Sequence, residues 1–256
     1  MEGGTVTYGT LLYLVALLVP IMVVNRRLRI FINKRLAWAV VRMVAQLTLV
    51  GVFLEFVFGL NNPFVNLLYV CAMIVVAAFS GVKGCDMKGG KPFMPILIAF
   101  AVPSLSMLLF FNGFVADLSH LLDARHTIPI AGMLLGNSLS SIIIGVNTFY
   151  KGVRTSQKEY LYALSLSNSR TEALLPYFRR GLFAVANPMV AGMETIGLVA
   201  LPGMMTGQIL GGALPMTAIK YQIAIMLAIF VVQYLAVILA IGLTSLAAFD
   251  EYDCLI

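Results

Sequence analysis

Phe64–Val82 reads FVNLLYVCAMIVVAAFSGV, 19 residues without a charge. A helix needs about 20 apolar residues to cross a bilayer. A helix on the surface of a soluble protein would keep a polar face, and this stretch has none. The same pattern recurs outward from it, at Leu36–Phe58, Met94–Phe111, Ile128–Tyr150 and Tyr221–Leu243, and opens the chain at Tyr8–Val24. A further candidate lies within Leu182–Leu214, interrupted by Pro188, Pro202 and several glycines. There the pattern predicts a helix from about Ala186 to Leu210, with a re-entrant hairpin as the alternative. The expectation is an all-α polytopic membrane protein with about seven spans, one transmembrane domain covering 1–256.

The whole composition agrees. Of 256 residues, 61% are hydrophobic and 11% charged, against about 45–50% and about 25% in soluble domains. The mean hydropathy is +0.96. Such a chain has too little polar surface for a soluble enzyme and too much apolar surface for disorder. The net charge of +6 has a topological reading. Arg26, Arg27, Arg29, Lys34 and Arg35 follow span one. Lys83, Lys88 and Lys91 follow span three, and Lys151, Arg154, Lys158, Arg170, Arg179 and Arg180 follow span five. These are 14 of the 17 basic residues, all in loops on one side. The positive-inside rule then places the N-terminus outside, and the C-terminus with its acidic Asp250, Glu251 and Asp253 in the cytoplasm. No basic stripe interleaves with aromatics, so nucleic acid is not an expected partner. Cys71, Cys85 and Cys254 form no disulfide framework, and the N-terminal run lacks the features of a cleavable signal peptide.

The longest cytoplasmic stretch is about 151–185. Within it, Glu159 to Pro176 carries apolar residues at Leu161, Leu164, Leu166, Ala173 and Leu174, and Ser169 with Glu172 matches a capping box. Two short amphipathic helices joined by a polar turn are expected here. They would lie on the membrane surface or dock a cytosolic partner. Gly203, Gly207 and Gly211 repeat at four, as do Gly132 and Gly136, which suits close helix packing or a sliding seam between two copies.

Polar residues within the spans are few: Arg42, Gln46, Glu55, Asn137, Asn147, Glu194, Gln208 and Gln233. Arg42 and Gln46 share a helix face. Glu194 stands beside Met189 and Met193, where a carboxylate near thioethers would hold a cation or pair with Arg42. The 14 methionines favour soft metals only if gathered. His120, Asp123 and His126 lack metal-ligand spacing. No catalytic triad order, H-E-x-x-H or C-x-x-C is present, and Gly84–Pro92 misses the P-loop spacing by one residue. The chain carries no recognisable means of hydrolysing a nucleotide.

Several strings together resemble the FetB-type (YbbM-like) permease family, which includes plant aluminium-sensitivity membrane proteins. They are Arg42-Met-Val-Ala-Gln46-Leu47, Ile128-Pro-Ile-Ala-Gly132-Met-Leu-Leu-Gly136-Asn137, Ala163-Leu-Ser-Leu through Ala173, Thr195-Ile-Gly-Leu-Val-Ala-Leu-Pro202-Gly203-Met-Met-Thr-Gly207, and Ala218-Ile-Lys220-Tyr-Gln222-Ile. The resemblance covers about residues 10–245. It implies an ABC transporter permease, bacterial members of which export iron, working with a separate cytosolic ATPase that binds the ATP, with no cofactor in this chain. It also implies that Glu159, Ala163, Leu164, Leu166, Ser167, Ser169 and Glu172 belong to the coupling loop that meets the ATPase. Arg42, Gln46, Asn137, Met189, Met193 and Glu194 are the pathway candidates, and a homodimer embedded in lipid the expected assembly. Two positions depart from the family pattern. Ser167-Asn168-Ser169 replaces a turn glycine, and Ala191 and Glu194 stand where an acidic residue and a lysine are usual. The glutamate bears on the substrate, leaving open a non-metal cargo such as a nucleotide sugar or lipid-linked species. A secondary transporter or channel is the remaining alternative.

Overall fold

Asn62 opens a helix by accepting a hydrogen bond from the Phe64 N–H at 3.0 Å, with Pro63 at the first helical position where no amide is needed. Asp123 caps a later helix in the same way, its side chain accepting from the Arg125 N–H at 3.0 Å. A computed structural model of the chain describes residues 9, 13, 15–60, 62–85, 92–115, 123–167, 169–199 and 201–249. The chain divides into two units, Met1–Leu60 and Asn61–Ile256.

The first unit holds α1 (Leu18–Arg27) and α2 (Asn33–Leu60). Their turn places Arg29 in the left-handed region, φ 54°. It is closed by the Ile30 N–H on the Asn25 carbonyl at 2.8 Å and by the Asn33 Nδ2 on the Met22 carbonyl at 2.7 Å. The basic residues Arg26, Arg27, Arg29, Lys34 and Arg35 collect at this turn.

The second unit holds α3 (Pro63–Gly84), α4 (Phe93–Phe110), α5 (Ala124–Thr155), α6 (Gln157–Ser167), α7 (Arg170–Thr195), α8 (Gly203–Leu210) and α9 (Pro215–Ala247). A π-helical turn, Phe111–Val115, extends α4, and its Asn112 Nδ2 donates to the Thr127 Oγ1 at 3.0 Å. α5 lies at the centre. It runs parallel to α3, where the Asn147 Nδ2 donates to the Gly84 carbonyl at 3.0 Å, and parallel to α9, where the Tyr150 hydroxyl meets the Thr244 Oγ1 at 2.9 Å. It runs antiparallel to α7. A Cβ at Gly181 would lie 3.0 Å from the Gly145 carbonyl and 3.1 Å from Ile241, so three helices cross where only glycine fits.

Five helices among the described residues are long and apolar enough to cross a membrane: Asn33–Leu60, Pro63–Gly84, Phe93–Val115, Ala124–Thr155 and Pro215–Ala247. They match five of the expected spans, and the protein is an all-α polytopic membrane protein. The other two expected spans differ. The stretch Tyr8–Val24 is described only in part, with α1 beginning at Leu18. The expected continuous helix from Ala186 to Leu210 is replaced by a helix that ends at Thr195, an unwound segment, and the short α8. The cause is local: Gly197 takes φ +87°, and Pro202 stands in an extended conformation at the N-cap of α8. The expected loop 151–185 is also largely helical. α5 continues to Thr155, and the second of the two expected short helices is the start of the 26-residue α7. Lys88, Lys91, most of the P-loop-like stretch, His120, Asn168, the acidic tail and Cys254 lie outside the described residues.

Candidate functional site

The two ends of α7 concentrate the polar, aromatic and methionine residues that sequence reasoning singles out. At its N-terminus, α6 and α7 form an elbow. Tyr160 on α6 is 1% exposed and packs edge-on to Tyr177 of α7 at 6.4 Å between centroids and against Phe249 at 5.9 Å. The Tyr177 hydroxyl donates to the Ser156 carbonyl at 3.3 Å. Arg170 places its guanidinium 5.0 Å over the Phe249 ring and donates to the Ser245 carbonyl, so a cation–π contact and a hydrogen bond tie the start of α7 to the end of α9. Ser169 takes the N-cap position, but its side chain caps nothing. The Ser167 Oγ donates to the Ala163 carbonyl at 2.9 Å and accepts from the Ser169 N–H at 3.3 Å, so the turn is held from the α6 side rather than by the expected capping box.

The outer side of the elbow is free of such ties. Glu159 and Glu172 are exposed, and Tyr162 and Leu166 are 68% and 70% exposed. Ala163 and Leu164 are half-buried and pack against the core. Thus Leu166 and Leu164, equivalent in the sequence pattern, point to different surroundings.

At the other end of α7, the Thr195 carbonyl accepts from the Leu198 and Val199 amides at 3.2 and 3.0 Å, closing a turn in place of further helix. α8 follows and ends in a Schellman motif, with Gly212 at φ +94°. There the Ala213 N–H bonds the Gln208 carbonyl at 3.0 Å and the Gly212 N–H bonds the Ile209 carbonyl at 3.0 Å. From Arg180, the last basic residue of α7, to Thr195 is a rise of about 22 Å, so the break lies far from the basic end of that helix. It borders a partly open pocket of about 450 Å³ whose walls include Met193, Ile196, Pro202, Met205, Gln222 and Met226, together with the exposed Leu201, Ile223 and Leu227. Gln222 is 7% exposed, and its Oε1 accepts no hydrogen bond among the described residues.

The structure places the remaining candidates as follows. Arg42 and Gln46 are exposed on α2 of the first unit. In the second unit Glu194 is exposed and is not part of the cavity wall, whereas its neighbour Met193 is. Met189 packs against the core. Asn137 is exposed and donates to the Met133 carbonyl at 2.8 Å. A Cβ at Gly132 would touch Met73 at 3.4 Å, while Gly136, Gly203 and Gly207 face open space and Gly211 meets only the carbonyls of its own helix. The His126 Nδ1 is 4.0 Å from the Asp123 Oδ2. Among the described residues no group of three His, Cys, Asp or Glu is placed to hold a metal.

Sequence reasoning missed Tyr160, Arg170 and Tyr177 as anchors of the elbow, and Gln222, Met205 and Met226 at the helix break. A signal for Gln222 existed. It stands one turn before Met226 on the same face of α9, inside the expected span Tyr221–Leu243.

The uncharacterised protein family UPF0014 matches residues 8–249. The probable iron export permease protein FetB of Escherichia coli is 29% identical over 246 residues, 95% of this chain and 93% of its own length. The UPF0014 membrane protein YjkA of Bacillus subtilis is 31% identical, covering 76% of each chain. The Arabidopsis thaliana protein ALUMINUM SENSITIVE 3 is 31% identical, covering 74% of this chain and 68% of its own. No solved structure matches the chain. With a family match across nearly its whole length and relatives at 31% identity, this integral, multi-pass membrane protein belongs to the UPF0014 family.

Proposed function

We propose that this chain is the membrane-spanning permease subunit of an ATP-driven exporter of metal ions such as iron, with ATP bound and hydrolysed on a separate cytosolic ABC ATPase. The cargo reading is supported by the likeness to FetB, which is named an iron export permease. The observation that carries the coupling reading is the elbow. It is a knob with Tyr162, Leu166, Glu159 and Glu172 outward, fixed to the helix bundle through buried Tyr160 and through Arg170. Hydrolysis in a partner moves membrane helices only through contact, and a knob rigidly joined to α7 transmits displacement to a helix that reaches the break. In this reading the elbow and the basic loops face the cytoplasm, with the N-terminus outside. Two copies assemble in the bilayer, with nothing among the described residues within 4 Å of a Cβ at Gly136, Gly203 or Gly207, which lets a second backbone approach.

Co-purification tests the partnership. The chain with Tyr162→Asp and Leu166→Asp is expected to insert normally and to lose an ABC ATPase co-expressed from the same genome, because both positions are exposed. Leu164→Asp is the poorer variant, since Leu164 packs inward. Retained association would overturn the docking assignment. Cellular iron tests the cargo: loss of the gene should raise it, and unchanged iron with altered nucleotide-sugar or lipid content would move the assignment to another ABC substrate. Orientation is checked by cysteine labelling in a background lacking the exposed Cys71. Burial pushes the Cys85 thiol up to about 12, so it stays a poorly reactive thiol.

A further inference from the structure

We infer that a water molecule is bound in the middle of the helix bundle, held between the Ser138 hydroxyl of α5 and the side-chain oxygen of Gln233 on α9. The site is separate from the elbow and from the pocket at the break, and it depends on neither the cargo nor the partner.

The register of the two helices brings these residues to one level. α5 and α9 are parallel, and the Tyr150 hydroxyl meets the Thr244 Oγ1 at 2.9 Å. Ser138 precedes Tyr150 by twelve residues, and Gln233 precedes Thr244 by eleven. A nearer contact gives the facing sides as well. A Cβ at Gly145 would lie 2.6 Å from the Val237 Cγ1. Ser138 stands two turns before Gly145 on the same face of α5, and Gln233 one turn before Val237 on the same face of α9. Counted from that contact, the two backbones differ in level by three residues, about 4–5 Å at the helical rise. The longer glutamine side chain leans back toward the N-terminus of its helix and covers that difference.

Both groups are sealed from solvent. Ser138 is fully buried and Gln233 is 4% exposed, and neither the Ser138 Oγ nor the Gln233 Oε1 has a hydrogen-bond partner among the described residues. Buried side-chain oxygens in native proteins are paired, with protein or with ordered water. Crossing helices separate on either side of their contact, so two turns from Gly145 the short serine does not reach the amide directly, and a water does. The water donates one hydrogen to the Gln233 oxygen and shares a second bond with the Ser138 hydroxyl, which both donates and accepts. Charge selects water over a cation. α3, α4, α5 and α9 contain no Asp or Glu, and Glu172 and Glu194 of α7 are exposed. A cation there would lose its hydration with no opposing charge to offset it. The bridge joins the central helix to α9 near the middle of both, through a contact that can break and re-form.

A double-mutant cycle on the full-length chain in lipid nanodiscs tests the bridge. Ser138→Ala and Gln233→Met each remove one side of it and should lower the melting midpoint by about 2–4 °C, the shift that loss of one hydrogen bond gives in a chain of this size. The double variant removes both sides and should melt no lower than the worse single variant. Were the two oxygens merely unpaired, Gln233→Met would remove a cost and raise the midpoint. Gln222→Met is the control. It lies eleven residues along α9 from Gln233, about 16 Å away, and its effect should add to that of Ser138→Ala. A crystal structure of the parent chain, grown from a lipid phase at a resolution that shows ordered water, should place one peak within hydrogen-bonding distance of both oxygens. That readout stands even if a variant fails to fold. A rise in either single variant, losses that add in the double, equal coupling to Gln222, or a direct Ser138–Gln233 bond in the crystal would each overturn the assignment.

Discussion

α7 begins in a locked joint and ends in an open one. At the elbow the inward groups are tied down: Tyr160 in the aromatic cluster, Arg170 on Phe249 and Ser245, Ser167 across the turn. At the break the helix stops on a left-handed glycine and a proline, and borders a partly open pocket. The contrast is one of packing. Aromatic rings and a delocalised cation hold a joint rigid because they bury large areas with fixed geometry. Glycine, proline and thioethers leave a joint that accommodates a change in what it surrounds. A single helix thus connects a surface suited to receiving a displacement with a segment able to rearrange.

The largest expected effect lies at the elbow. Tyr160→Ala removes a fully buried ring and should cost about 3–5 kcal/mol, the usual loss for a large aromatic side chain. It should free α6 to proteolysis at Lys158, while Tyr160→Phe keeps the packing and resists. Limited trypsin digestion of membranes checks both. If Tyr160→Ala remains as resistant as the parent, the elbow is not the locked end and the contrast fails.

Next comes the middle of α7, which both ends share. Gly181→Leu forces a side chain against the Gly145 carbonyl and Ile241, and should cost about 1–3 kcal/mol by overpacking. A leucine at Gly207, which has nothing within 4 Å of its Cβ position, should leave the monomer's thermal midpoint in detergent nearly unchanged. Equal losses at the two glycines would show that α8 is packed as tightly as the α5–α7–α9 crossing.

These two glycines also mark what the sequence discloses. Five spans are legible because length and apolarity suffice to identify them, and the elbow is legible because its turn residues and amphipathic flanks are local signals. The break is not. Gly203, Gly207 and Gly211 spaced at four read as one face of a helix running on from about Ala186, but Gly197 in the left-handed region and the extended Pro202 separate α8 from α7. The tight crossing is hidden for the opposite reason. Gly145 and Gly181 carry no repeat, and their need for glycine arises across the fold, at Gly145 from Val237 and at Gly181 from the Gly145 carbonyl and Ile241. Likewise Met193, Met205, Gln222 and Met226 are scattered in sequence and line one pocket only through the fold.

At the break itself, Gly197→Ala should have a smaller effect. A non-glycine residue in the left-handed region costs about 1–2 kcal/mol, and among the described residues no neighbouring atom lies within 4 Å of the added Cβ. A midpoint shift in detergent larger than that for Gly181→Leu would reverse the order of the two joints.

The smallest stability effect, and the sharpest functional question, belongs to Glu194. It sits one residue from the cavity-lining Met193, yet it is exposed. Exposed substitutions away from special contacts fall within about 0.5 kcal/mol, so Glu194→Gln should melt with the parent. Function then tests the role proposed for it. If the carboxylate meets the cargo or guides it toward the break, export should fall sharply with the ATPase still bound and the protein level unchanged. Normal export by Glu194→Gln would remove the carboxylate from the transport pathway.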